Sequence, residues 1–362
     1  MSINHGANLY DLSNKLGLNK NELMDFSSNI NPLGSSKLAK QAIIDNIDMV
    51  SIYPDPSYFN LKTSISNYCH CSSDNILLGS GATELISSFI DIINPKKAVL
   101  LSPSYSEYEK ELIKVNCHIN KYFSKKENLF KVDVNDFINY INSDNHDIVI
   151  ICNPNNPTGF AFTNEEIRKI LENTNTFIMI DETYIEFTNT SKYSSTRLVD
   201  DFNKLFVIRG TSKFFGTPGI RLGYGLTSDD LIKESINNKL DLWNINTLAS
   251  IMGEVMFKDE DFIKNSSQTL TKEREYLLNE LSSFDDFMVY HSDGNFILSE
   301  IKSKKIKASE LRELLIEKHI IIRDCKSFEG LDEYFFRVCT LSHKENEFLI
   351  KSLNDIFTKD EE

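Results

Sequence analysis

Short, almost wholly apolar runs at 75–78, 98–102, 147–152, 177–180 and 205–208 alternate with longer stretches whose apolar positions recur at helical spacing. A strand buried on both faces reads as such a run, and parallel strands need crossover helices between them. The pattern therefore predicts an α/β fold with a mainly parallel central sheet and helices on both faces. Gly79-Ser80-Gly81-Ala82-Thr83 closes the first run and should lead into a helix reaching Ile93. Thr163-Asn164-Glu165-Glu166 has capping-box form and should open another. Beyond Trp243 the texture changes. A charged helical stretch at 260–281 precedes two short strands, a helix from Ala308, strands at 320–322 and 335–338, and a final helix. The expected organisation is an arm, 1–44, that packs with a smaller α+β domain, 246–362, and a large domain at 45–245.

At 362 residues the chain can bury a large core. Its net charge of −14 argues against nucleic acid, whose affinity comes largely from Lys and Arg neutralising phosphates. A small anion needs only a few local arginines and is not disfavoured. Cys69-His70-Cys71 lacks the second ligand pair that a zinc site needs, so no metal is expected. The apolar runs are too short to span a bilayer, and MSINHGANLYDLSNK lacks the basic start and apolar core of a signal peptide. A cytoplasmic protein is expected.

Candidate chemistry gathers at the ends of the apolar runs, where open α/β sheets bind ligands. Asp181 follows 177–180, and Asn153-Pro154-Asn155-Asn156-Pro157-Thr158-Gly159 follows another run. Lys213 closes Gly210-Thr211-Ser212-Lys213, with Arg221 beyond it. The 79–83 turn offers backbone N–H groups and a helix dipole to an anion, without a Walker lysine or a dinucleotide GxGxxG. Each feature alone has a plain structural explanation, as a cap, a tight turn, a surface lysine or a flexible glycine-rich link at 216–225.

Their order is the stronger signal. The 79–83 turn, Tyr105, Asn156-Pro157-Thr158-Gly159, Asp181-x-x-Tyr184, Ser212-Lys213 and Arg221 together resemble the fold-type-I pyridoxal-phosphate (PLP) enzymes, over nearly the whole chain. That resemblance implies the aspartate-aminotransferase-like fold, with Lys213 carrying PLP as a Schiff base and moving protons once substrate displaces it. Asp181 would pair with the pyridine nitrogen. Asn156 and Tyr184 would hydrogen-bond the phenolic oxygen, and Tyr105 would stack on the ring. Gly81, Ala82, Thr83, Ser212 and Arg221 would hold the phosphate. Many relatives have Ser or Thr where this chain has Gly210, so the phosphate cup should rest more on Ser212 and the backbone amides.

Within that group the chain is similar to the branch containing threonine-phosphate decarboxylases and histidinol-phosphate aminotransferases. Tyr53-Pro54-Asp55-Pro56 matches a motif of the branch in which the tyrosine reaches the neighbouring subunit's PLP, which implies a homodimer. His5-Gly6-Ala7-Asn8, the 25–34 segment DFSSNINPLG and Trp243-Asn244-Ile245-Asn246 resemble the decarboxylases. By that resemblance His5, Asn31, Asn156, Arg323 and Arg337 would bind a small amino-acid phosphate. The implied reaction is decarboxylation of L-threonine O-3-phosphate to aminopropanol phosphate, used in cobalamin biosynthesis. Transamination of histidinol phosphate is the alternative, since the same residues support it. A non-catalytic regulator of this fold would carry a DNA-binding domain, and no basic helix-turn-helix precedes Tyr53.

Overall fold

The computed structural model describes residues 9–358. The apolar runs become strands of a seven-stranded sheet. In chain order, after a short β1 (Met24–Asp25), these are β2 (Ile76–Gly79), β3 (Lys97–Ser102), β4 (His118–Phe123), β5 (Ile148–Cys152), β6 (Phe177–Asp181), β7 (Leu205–Gly210) and β8 (Gly223–Leu226). Their spatial order is β2-β8-β7-β6-β5-β3-β4. From β4 to β7 all pairings are parallel, while β8 runs antiparallel to both β2 and β7. This is the aspartate-aminotransferase-like arrangement that the pattern and the resemblance imply.

Two of these strands had no apolar run to announce them. The sheet-edge strand β4 (HINKYF) is only partly buried, so it never needed a double-sided apolar sequence. The glycine-rich stretch at 216–225, which taken alone could be a flexible link, runs into β8, and the glycines of that strand serve close packing. A Cβ on Gly223 would stand 2.5 Å from the Ala82 nitrogen, and one on Gly225 would stand 2.7 Å from the Phe206 ring.

The second part of the chain begins with a long helix, Glu260–Ser282. It leads into β9 (Phe287–Val289), β10 (Phe296–Ile301), β11 (Ile320–Ile321), β12 (Arg323–Asp324) and β13 (Phe335–Cys339). A four-stranded antiparallel sheet has the order β12-β13-β10-β9, while β11 pairs with β1. Of the strand expected at 320–322 only Ile320–Ile321 forms, as β11, and the chain crosses at Ile322 to the other sheet, where β12 begins. The helix Ala308–Ile316 and the terminal helix His343–Phe357 complete this part.

The segment from Met24 to Asn31 stitches both parts together. Phe26 N–H donates to the Ile321 carbonyl and Cys339 N–H to the Phe26 carbonyl, each at 2.9 Å. Asn295 Nδ2 donates to the Asn29 carbonyl at 3.0 Å, and Asn31 N–H reaches the Lys213 carbonyl at 3.0 Å. A ligand cavity at the carboxyl ends of β5, β6 and β7 is therefore walled by three remote stretches of chain. Among the described residues no helix is both long and apolar enough to cross a membrane.

Candidate active site

Lys213 lies in the turn after β7, a turn held by its backbone. Thr211 Oγ1 donates to the Leu222 carbonyl at 3.0 Å, and the Lys213 carbonyl accepts from both Asn31 and Gly216. The Lys213 ammonium points into a cavity of about 290 Å³ and donates to the Ser28 carbonyl at 2.7 Å. Burial, reinforced by the nearby Arg337 guanidinium, brings its pKa down to about 8. Both causes penalise the charged amine.

Asp181 closes β6 on the same cavity and is 4% exposed. Thr183 donates to its Oδ1 from both N–H and Oγ1, at 2.9 and 2.5 Å, and Tyr108 donates to Oδ2 at 2.6 Å. Burial still holds the carboxyl above its ordinary range, against these bonds and the Lys213 charge that pull it down. A partner cation at this carboxylate would relieve that penalty. Beside it, the Tyr184 hydroxyl accepts long hydrogen bonds from Asn156 Nδ2 at 3.5 Å and Asn29 Nδ2 at 3.4 Å. Tyr105 caps the opening of the helix Ser106–Lys114 and meets Tyr108 edge-on, with centroids 5.6 Å apart. Burial, first among several causes, raises its phenol to about 12.

The cavity's other end is an anion cradle. The helix Ala82–Ile93 starts at Gly81, which has φ +89° and supplies no side-chain cap, so its first N–H groups remain available to a ligand. Ala82, Thr83, Ser212 and Arg221 all line the cavity here. Gly81 touches Arg221 so closely that a Cβ would stand 2.3 Å from Nη2. Gly210 also lines the cavity, so the hydroxyl that many relatives place there is missing from this cradle.

Two more arginines face the cavity from the second sheet. Arg323 and Arg337 are direct partners in the antiparallel register of β12 and β13. Arg337 donates to Asn156 Oδ1 and, at 2.6 Å, to the Ser27 carbonyl, while its buried Nε has no hydrogen-bond partner. Arg323 donates to Ser327 Oγ at 2.7 Å and lies over the Phe328 ring. Burial, followed by the Arg337 charge, lowers the Arg323 pKa.

Two candidates lie elsewhere. Asn31 is buried outside the cavity, with its amide donating to the Phe214 carbonyl and to Ser266 Oγ at 2.8 and 3.1 Å, and its Oδ1 accepting from Leu33 N–H. Tyr53 is 75% exposed and stacks on Trp243 with centroids 4.3 Å apart, away from its own chain's cavity. His5 lies outside the described residues. The sequence reading missed Tyr108, Thr183, Asn29 and the Ser28 carbonyl. Tyr108 sits three residues after Tyr105 at a helix start, a spacing that puts both on one face and could have signalled it. Asn29 sits at φ 58° within a polar turn, a conformation that asparagine tolerates well.

The profile of the family described as aminotransferase class I and II matches residues 15–353. A protein named putative threonine-phosphate decarboxylase, from Caldanaerobacter subterraneus, is 38% identical over 98% of this chain and 94% of its own length. The histidinol-phosphate aminotransferase of Methanosphaera stadtmanae is 33% identical over 97% of this chain and 95% of its own. An adenosylcobalamin biosynthesis bifunctional protein of Leptospira interrogans is 34% identical over 98% of the chain, which spans only 41% of that longer protein. Among solved structures, the histidinol-phosphate aminotransferase of Clostridium acetobutylicum superposes with a TM-score of 0.86 at 34% identity, over 92% of this chain and 99% of that one.

Proposed function

The chain belongs to the class I and II aminotransferase family, and from that premise we propose that it is a PLP-dependent decarboxylase of L-threonine O-3-phosphate. The cavity's donor set fits the cofactor. The helix N-terminus, Ser212 and Arg221 suit its phosphate, the buried Asp181 carboxylate suits a protonated ring nitrogen, and the Lys213 amine suits its aldehyde. Asn156 and Tyr184 would hold its phenolic oxygen, and Tyr105 would lie against its ring. When bound, PLP supplies an electron sink that stabilises negative charge at the substrate's Cα.

The observation that carries the substrate is the Arg323–Arg337 pair across β12 and β13. With Arg221 assigned to the cofactor phosphate, Arg323 and Arg337 would offer two cations to a ligand with two anionic ends. Threonine O-phosphate has two, a carboxylate and a phosphate, whereas histidinol phosphate has one. The unpartnered Arg337 Nε offers a donor to such a carboxylate. By gripping the carboxylate, Arg337 would set which Cα bond stands across the ring plane, with Arg323 left to meet the substrate phosphate. Lys213 Nζ would then deliver a proton to Cα after CO2 leaves. His5 would add a contact to the substrate phosphate, and Tyr53 of the partner subunit would complete the cofactor's phosphate site in a homodimer.

The test is product analysis of the PLP-loaded protein with threonine O-phosphate and no keto acid. Catalytic CO2 release with aminopropanol phosphate is the expected result. A second reading, transamination of histidinol phosphate, is favoured by the similar identity of the Methanosphaera relative. Absence of CO2, with amino transfer from histidinol phosphate to 2-oxoglutarate, would select it.

A further inference from the structure

A second cavity, of about 570 Å³, lies behind the first. Gly210 lines the first and Arg209 the second, and consecutive strand residues face opposite sides of a sheet. Arg209 is 3% exposed and carries two buried carboxylates. Its Nε and Nη2 donate to Glu182 Oε2 at 2.9 and 2.8 Å, and its Nη1 lies 3.5 Å from Glu186 Oε1. Glu182 thus takes the better share of the guanidinium. Glu186, 4% exposed, lines the cavity, and its Oε2 is buried with no hydrogen-bond partner. A buried carboxyl oxygen left without a partner is costly, and a ligand cation that met it would relieve that cost.

The rest of the lining is of two other kinds. Tyr68, Phe214 and Phe257 contribute apolar wall. Exposed Arg197, Lys258 and Lys264 lie on the rim, against one acidic neighbour, Glu260. A buried acidic group, an aromatic wall and exposed basic side chains in one cavity complement a short molecule with a cation at one end and an anion at the other. We infer that this cavity is a second ligand site for a small zwitterion, an aminoalkyl phosphate or an amino acid, with its primary ammonium on Glu186 and its phosphate or carboxylate on the basic rim. The site is independent of which reaction the active site performs.

Burial raises the Glu186 carboxyl to about 8, with Arg209 pulling it back and Cys69 and Glu182 adding to the rise. Tyr68 and Tyr224 also face this cluster, and both are kept neutral by burial. At pH 7 the empty site therefore holds a proton that an arriving ammonium must displace. The experiment is titration calorimetry of the PLP-loaded protein at pH 7 in two buffers of different ionisation enthalpy. The probes are O-phosphoethanolamine, glycine, ethanolamine and inorganic phosphate.

The two zwitterions should bind with release of close to one proton from this site, and inorganic phosphate with none. If O-phosphoethanolamine binds more than tenfold tighter than glycine, the rim reads phosphate; the reverse order assigns it to carboxylates. Glu186→Gln should abolish the release and weaken binding at least tenfold, whereas Arg337→Ala, which disables the active-site cavity, should retain it. Arg197→Ala, at an exposed position, should weaken the zwitterions several-fold and leave ethanolamine unchanged, which keeps the test alive if Glu186→Gln does not fold. Proton release that survives Glu186→Gln, or zwitterion affinity indifferent to Arg197→Ala, overturns the inference, as does the absence of proton-linked binding. Turnover of threonine O-phosphate is not part of this readout, so failure of the decarboxylase reading would leave it standing.

Discussion

Lys213 is tethered to the Ser28 carbonyl and titrates near pH 8, well below an ordinary lysine at 10.5. Only the neutral amine attacks an aldehyde. Covalent capture of PLP by the cofactor-free protein should therefore speed up roughly tenfold per pH unit below about 8 and level off above it. Stopped-flow absorbance across this range measures the inflection, and a rate still climbing toward the ordinary lysine value would refute the shift. Arg337→Ala removes a like charge and should move the inflection upward. Lys213 and Asp181 were legible in the sequence because Asp181 ends one apolar run, Lys213 lies in the turn after another, and both fall in an ordered set of motifs. Tyr108 was missed although its spacing from Tyr105 pointed to it, because its meeting with Asp181 shows only once the helix start is placed in the fold. Asn31 lay in a telling segment, but only the fold reveals that its amide is spent on the Phe214 carbonyl and Ser266.

Among elements, the helix Ala82–Ile93 and β8 depend on each other. Its first turn lies against Gly223 with no room for a methyl group. Gly223→Ala should force them apart, costing about 1–3 kcal/mol of stability. The same displacement should weaken PLP binding, because the cradle's N–H groups would move away from Arg221. Denaturant midpoints and cofactor titration measure the two effects, and a variant unchanged in both would show that the contact yields freely. The run before this helix could be read from its apolar residues, but β8 could not. Glycine carries no hydrophobic signal, and these glycines are chosen by what presses on them from outside their own strand. The edge strand β4 escaped for a related reason: half of its surface meets solvent, so its sequence alternates weakly.

For the whole molecule, some of the exposed apolar residues form a cluster along the chain. Ile44, Ile47, Val50, Ile52 and Tyr53 follow one another over a short stretch, and Tyr53 stacks on the half-exposed Trp243. Such a strip commonly marks a protein interface. A homodimer joined here would cover it and bring Tyr53 toward the partner's cofactor site. Val50→Glu should accordingly shift sedimentation from dimer to monomer and weaken PLP binding. A wild-type protein that sediments as a monomer would count against the interface.

Arg337 grips the carbonyl of Ser27 across 310 positions of sequence. On the ribosome, the wall of the cavity is therefore synthesised long before the arginine that fastens it. A nascent chain that ends before β13 already contains Lys213 and Asp181 but has no closed chamber around them. Contacts so distant in sequence form slowly, since a large loop must close before any bond repays it. Competence should accordingly be among the last properties acquired during folding, and a prematurely terminated chain would be inert.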